Sequence, residues 1–330
     1  MKAIYGIGDI HLAGYPEWIF KVGDKFIEWL DSFYFGDKKE SEVILTGDVT
    51  SKDLLPGLII DQLERLIEVL ERKFSHIYIC MGNHDLKKWH GKLQHPLIAI
   101  GKRPSITVIE KHGTIKTPLG FNVLFLPFQK ITGTNCEDFY NSMPPEFTIP
   151  YDVIVGHFAK KDNFLYKKGV NTDLFKTREW FLGHIHNRPE KEYLGSVYSL
   201  NPTEEKCKYP RCMKKVTKEN IEDINLPKFL TYKTIAYPDK PTLDSSMVEV
   251  FTVKNCPNKL AAQEYYKELF IKGIEKEKED IKDVTVTTTS DKTFKNYHEA
   301  FDSWISETGT KVSRQVYKLV NSMLKETEEN

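Results

Sequence analysis

The sequence predicts an α/β (α+β) fold in which two sheets pack together with helices outside, followed by a small appended β-α-β unit. Three observations predict it. The first two thirds of the chain read as strands alternating with helices. Five β-propense runs crowd the latter part of that stretch. The charge pattern then changes near residue 203. A β-α-β-α-β order implies a largely parallel sheet, and a second sheet is needed to absorb the strands that follow. At 330 residues the chain is long enough for two domains of about 150 residues.

The elements follow in order. KAIYGIGDIH, at the N-terminus, is a short apolar run ending in Gly-Asp. Residues 17–34 place Trp18, Val22, Phe26, Trp29, Leu30 and Phe33 near helical spacing. SEVILTGD is a second strand, and Ile59, Ile60, Leu63, Leu66, Ile67 and Leu70 mark a second amphipathic helix. SHIYICMGNHD is a third strand. ITVIEKHGTIK, FNVLFLPF, YDVIVGHF, EWFLGHIH and YLGSVYSL read as strands separated by turn signals. TEEKCKYPRCMKKVTK holds six Lys/Arg against two Glu and reads as an exposed connector. FLTYKTIAY and MVEVFTV are expected strands, residues 259–279 a charged helix and VTVTTT another strand. Residues 294–327 read as two helices divided near Gly309. The expected organisation is a main domain over 1–202, a basic connector with strands over 203–246, a cap over 247–290 and a helical region over 291–330.

Composition excludes several classes. Apolar residues make up 40% and charged residues 28%, which is ordinary for a globular chain and unlike a disordered or fibrous one. Lys and Arg number 47 against 47 Asp and Glu, so attraction to a polyanion must come from local clusters. No run of 18 apolar residues is present, so no membrane helix is expected. Asp9 and His11 come too early for a signal peptide, and a cytoplasmic setting is expected, the host cytoplasm for a viral chain. Five cysteines, an odd count with irregular spacing, fit a reducing compartment. Cys207 and Cys212 lack the second pair that a structural zinc site needs, and Cys80 reads as core.

Five strand ends carry polar residues that a simple core does not require. They are Asp9 and His11 in GDIH, Asp48 in GDV, Asn83, His84 and Asp85 in GNHD, His157 in GHF, and His184 and His186 in GHIH. Each cluster follows a glycine. One Asp or His at a strand end is commonly a cap or a solvated turn; five in order are not. Asp, Asn and His donors suit divalent ions such as Mn²⁺, Fe²⁺ or Zn²⁺. Asp9 with His11, and His184 with His186, share a face at i, i+2 on a strand. Two ions about 3.5–4 Å apart need a bridging carboxylate, for which Asp48 is the natural candidate.

The ordered set D-x-H, GD, GNH-[DE], H and GH-x-H resembles the calcineurin-like metallophosphoesterase superfamily over roughly residues 1–200. The resemblance implies a β-sandwich flanked by helices and a site for two divalent metal ions, Mn²⁺ first, with Mg²⁺, Fe²⁺ or Zn²⁺ as alternatives. Asp9, His11, Asp48 and His186 would hold one ion, and Asp48, Asn83, His157 and His184 the other. His84 would be a catalytic histidine outside the ligand set, with Asp85 orienting its ring.

Within that superfamily the chain lacks the GD-x-x-DRG of the protein phosphatases, reading GDVTSKD instead. It looks more like the Mre11/SbcD-type DNA nuclease subunits, including their short bacteriophage versions. YLGSVYSLNP stands where that branch has a GS-containing strand, and the β-α-β cap and the aromatic segment YHEAFDSWISETG follow. The branch implies 3′ to 5′ exonuclease and single-strand endonuclease activity, a homodimer, and a Rad50/SbcC-like ATPase partner engaged by the C-terminal helices. Lysine clusters leave the presumed metal face: Lys87, Lys88 and Lys92; Lys160, Lys161, Lys167 and Lys168; and Lys206 to Lys218, which includes Arg211. Such clusters suit DNA phosphates, and Trp89 and His90 can stack on an unpaired end. A metallophosphodiesterase acting on small or cyclic nucleotides is the alternative enzyme. A non-enzymatic scaffold is the third reading, against which the intact ligand set argues.

Overall fold

The early strands bury both faces, which explains their continuous apolar runs. In the computed structural model, β1 (Ala3–Ile7), α1 (Glu17–Ser32), β2 (Ser41–Leu45), α2 (Pro56–Lys73) and β3 (His76–Cys80) follow the expected order. Ala3, Tyr5 and Ile7 of β1 point to one face, against Trp18, Val22, Phe26 and Leu30 of α1. Ile4 points to the other. This is the two-residue period of a strand meeting the helical period of its neighbour. The structure describes residues 1–276 except 14–15, 52–55, 90–91, 95–96, 98–99, 130–135, 144–148, 162–168 and 257–258. The chain divides into two compact units, Met1–Glu277 and Lys278–Asn330, and all elements named here belong to the first. The expected strand VTVTTT, the helices over 294–327, His90, Lys167 and Lys168 lie outside the described residues.

After β3 come a two-stranded hairpin, β4 (Lys87–Trp89) and β5 (Lys92–Gln94), then β6 (Ile106–Ile109), β7 (Gly113–Lys116) and β8 (Asn122–Leu126). The short α3 (Cys136–Asn141), β9 (Tyr151–His157) and β10 (Thr177–Gly183) follow, then β11 (Cys212–Thr217) and β12 (Ile221–Asn225). The first sheet runs β12-β11-β1-β2-β3-β6 and the second β10-β9-β8-β7. Ile4, Ile44, Tyr78 and Cys80 from the first sheet pack against Val123, Phe125, Val153, Val155 and Phe181 from the second. The sandwich and the largely parallel core of the first sheet are as expected, and β8, β9 and β10 of the second sheet are parallel as well. Cys80 is core.

Three elements differ from expectation. Residues 212–217, inside the stretch read as an exposed connector, and residues 221–225 just beyond it form two strands that extend the first sheet. β11 pairs antiparallel with β1, Ala3 opposite Thr217. Its Lys214 is buried because its ammonium reaches Glu179 of the second sheet. YLGSVYSL is not a strand: beyond one bridge between Leu182 and Tyr193 it turns across the ends of the parallel strands. There Val197 N–H donates to Asp9 O at 2.9 Å and Tyr198 OH to His11 O at 3.0 Å. The charged helix stops early, since α4 (Lys259–Tyr265) is followed by β15 (Phe270–Lys276).

With β13 (Leu230–Ala236) and β14 (Val248–Cys256), β15 makes a three-stranded parallel sheet in the order β13-β14-β15. The β-α-β unit is therefore β14-α4-β15, with FIKGIEK in the place expected of VTVTTT. No described helix is long and apolar enough to cross a membrane.

Candidate metal centre

Parallel strands deliver their carboxyl ends to one edge of a sheet, and sites form there. β1, β2 and β3 lead to Asp9, Asp48 and Asn83; β9 ends on His157 and β10 runs into His184. The loops after β1 and β2 are tied together, His11 N–H donating to Asp48 O at 2.8 Å and Leu12 N–H to Val49 O at 2.9 Å. Asp85 ties the loops after β2 and β3. Its Oδ1 accepts from Thr50 N–H and its Oδ2 from Gly82 N–H, both at 3.0 Å. Sequence reasoning gave this carboxylate to the His84 ring; in the structure both of its oxygens serve the loop backbones.

Close approach of these loops demands glycine at two points. Gly47 has φ +114°, and a Cβ there would lie 2.4 Å from His157 Nδ1. A Cβ on Gly82 would lie 2.2 Å from Asp48 Oδ1 and 2.3 Å from Asp48 N. Gly82→Ala is therefore expected to displace Asp48 and lower both Mn²⁺ affinity and melting temperature. Gly57→Ala, on α2 with nothing within 4 Å, is the control expected to leave Mn²⁺ affinity unchanged. Calorimetric titration with Mn²⁺ and thermal melts check this. Equal behaviour of the two variants would refute it.

Three of the polar residues hold left-handed backbone that ordinary side chains avoid: His11 at φ 53°, Asp48 at 48° and His184 at 78°. Such conformations cost on the order of 1–3 kcal/mol each and cluster where function over-determines the backbone.

The side chains converge. Donor atoms of Asp9, His11, Asp48 and His186 all lie within 4.8 Å of one another, a group that can hold a metal ion. His11 Nε2 is 3.0 Å from His186 Nε2. Asp48 Oδ2 reaches the other way, 3.3 Å from His157 Nε2. Asn83 Oδ1 stands 3.0 Å from both His157 Nε2 and His184 Nδ1. His157 Nδ1 lies 2.9 Å from the Thr46 carbonyl; donating to it leaves Nε2 to face Asn83 and Asp48.

The charges are set by burial and by one another. Burial raises Asp9 to about 6, against the pull of His157 and His186. Burial opposes a charge on His157, yet Asp48 beside it lifts its pKa to about 10. Asp48 is held well below the usual carboxylate range despite burial, by the charge and hydrogen bond of His157. Burial, then the charge on His157, push His184 down to about 3, and burial first also lowers His11. The buried Asp9 Oδ1 has no hydrogen bond. Facing imidazole nitrogens and an orphaned carboxylate oxygen are what a divalent cation would satisfy, so the residues fit one.

A family model described as calcineurin-like phosphoesterase matches residues 2–188, more than half of the chain. The chain belongs to the calcineurin-like phosphoesterases. This makes the protein a metal-dependent phosphoester hydrolase. No curated protein matches the chain. Among solved structures, a phosphopantetheinyl hydrolase, PptH, from Mycobacterium tuberculosis is similar at 13% identity. That match covers 66% of this chain and 96% of that one, with a TM-score of 0.39.

The phosphoesterase places the other expected residues as follows. His84 donates its backbone N–H to Asp48 Oδ1 at 2.6 Å, and its ring packs edge-on to His11 with centroids 4.9 Å apart. Lys87, Lys88 and Trp89 form β4, which leaves the site directly after Asp85. Lys160 is spent on Glu190 at 2.7 Å and Glu192 at 3.0 Å, whereas Lys161 is exposed. Arg211 donates to the Glu204 carbonyl. Both Lys160 and Arg211 are thus engaged within the chain rather than held out for a phosphate. Cys212 is buried on β11 and Cys207 half-buried, both free thiols. Sequence reasoning missed Glu204, whose Oε1 lies 3.3 Å from His186 Nδ1. The only available signal was a carboxylate soon after GHIH, and no spacing rule singles it out.

Proposed function

We propose that this phosphoesterase is a two-metal DNA nuclease, the nuclease subunit of an SbcCD-like recombination and repair complex. The observation that carries the metal reading is the pair of donor sets meeting at Asp48: Asp9, His11 and His186 on one side, Asn83, His157 and His184 on the other. These residues would hold two divalent cations, for which we favour Mn²⁺. Such cations polarise a phosphoryl oxygen and lower the pKa of water. Asp48 supplies the shared charge and, through its bond to the His84 backbone, sets where that imidazole stands. His84 would pass a proton to the leaving oxygen as the bond from phosphorus to it breaks and the bond to the incoming water oxygen forms, the water's own proton going to solvent.

DNA as substrate is supported by the antiparallel hairpin that follows GNHD in the chain, in which Lys87, Lys88 and Trp89 pair with Gln94, Leu93 and Lys92. The 3′ to 5′ exonuclease and single-strand endonuclease activities, a homodimer, and an ATPase partner at residues 291–330 belong to the same proposal. The test is digestion of end-labelled duplex and of single-stranded circles in Mn²⁺ and in Mg²⁺. Shortening from 3′ ends and nicking of circles by wild type, both lost in Asp48→Ala, is the expected result. Hydrolysis of cyclic nucleotides with intact DNA would replace the reading with the small-substrate phosphodiesterase.

A further inference from the structure

We propose that Glu204 is a positioning residue of the metal centre, holding His186 by Nδ1 so that Nε2 faces the cation site. His186 presents Nε2 3.0 Å from His11 Nε2 and 3.6 Å from Asp9 Oδ2, while Nδ1 meets Glu204 Oε1 at 3.3 Å. An imidazole that coordinates through one nitrogen carries its proton on the other. An acceptor for that proton fixes the tautomer and ring plane and makes the ligand more basic. A carboxylate does this more strongly than a neutral acceptor, because the bond is charge-assisted.

Glu204 is itself held in place. Its Oε2 accepts from Leu200 N–H at 2.8 Å and its Oε1 from the Asn201 amide. It sits in a short 3₁₀ turn, Pro202–Glu205, whose N-cap Asn201 accepts from Thr203 N–H at 3.0 Å and Glu204 N–H at 3.2 Å. Arg211 grips the turn through the Glu204 carbonyl. Glu205 anchors it on the other side, accepting from Tyr232 N–H of β13 at 3.2 Å and pairing with Lys228 at 3.2 Å. A carboxylate held by two hydrogen bonds, in a turn that is itself anchored, needs little reorganisation to hold a ligand. The turn lies beyond residue 188, where the family match ends, so this part of the centre is furnished by the chain outside the matched region.

The test is calorimetric titration of the full chain with Mn²⁺ after chelator treatment, comparing wild type, Glu204→Gln and Glu204→Ala, alongside melting of the metal-free proteins. Glu204→Ala is expected to weaken one of two Mn²⁺ sites about ten- to hundred-fold. Glu204→Gln keeps an acceptor without the charge and should fall between. The other site should stay put in both variants, and so should the metal-free melting temperature of Glu204→Gln, which keeps an oxygen for Leu200 N–H. Unchanged affinity in Glu204→Ala overturns the proposal. So does a parallel fall of both sites and of metal-free stability, which would make Glu204 a folding residue. The inference rests on the metal-centre reading and is independent of DNA as substrate. Wild type that takes up no Mn²⁺ overturns both; normal uptake with an indifferent Glu204→Ala overturns this one alone.

Discussion

On the proposed two-metal reading, Asp48→Ala is expected to lose both cations and to lower phosphodiester turnover by at least about 10³-fold. A cation contributes several kcal/mol to stabilising the phosphoryl transition state, and each 1.36 kcal/mol is about tenfold in rate. Asp48 is the carboxylate common to the two donor sets, 3.8 Å from His11 Nε2 and 3.3 Å from His157 Nε2. Alanine removes that shared charge and also the acceptor for His84 N–H. Asp48→Asn separates the two effects: its amide oxygen can still accept from His84, so the loop keeps its shape while the charge is gone. Metal content after dialysis against Mn²⁺, with turnover of bis(p-nitrophenyl) phosphate, checks this. Full metal content in Asp48→Ala would show that the two sets do not share this residue.

His84→Ala should behave differently, keeping its metal and losing about 10²–10⁴-fold in turnover, the range for a missing general acid. The bond from its backbone to Asp48 survives the substitution, and its ring stands beside His11 rather than in the converging group. The loss should depend on the leaving group. A p-nitrophenolate leaves without protonation, so the deficit should shrink on that substrate and grow on DNA or an alkyl diester. A deficit of equal size on all of them would assign His84 to charge stabilisation instead. Loss of metal in step with activity would make it a ligand.

Much of this molecule was legible in its sequence because the strands that carry the site are buried on both faces and end on glycine-led polar clusters. The order from β1 to β3, the two packed sheets and the convergence of Asp9, Asp48, Asn83 and the later imidazoles all follow from that pattern. What escaped has physical causes. β11 reads as basic and solvated because nothing in the string shows that Lys214 will meet Glu179 from another sheet. YLGSVYSL has the composition of a strand, but its partners are the carbonyls of Asp9, His11 and His186, which exist only once the loops have met. FIKGIEK continues the charged spacing of α4 and betrays its strand only through pairing with β14. Glu204 stands among many glutamates, and only the turn that Asn201 caps brings it to His186.

The place of β1 limits how the molecule can be cut. This first strand lies between β2 and β11, so a stretch from beyond residue 210 zips along its flank. A fragment trimmed behind the final imidazole would carry every cation donor yet leave a row of amides and carbonyls bare on its innermost ribbon, an invitation to clump with its own kind. Any shortened version meant for crystals or assays has to run on through Asn225, because the hydrolase half is sewn shut by residues that come after it.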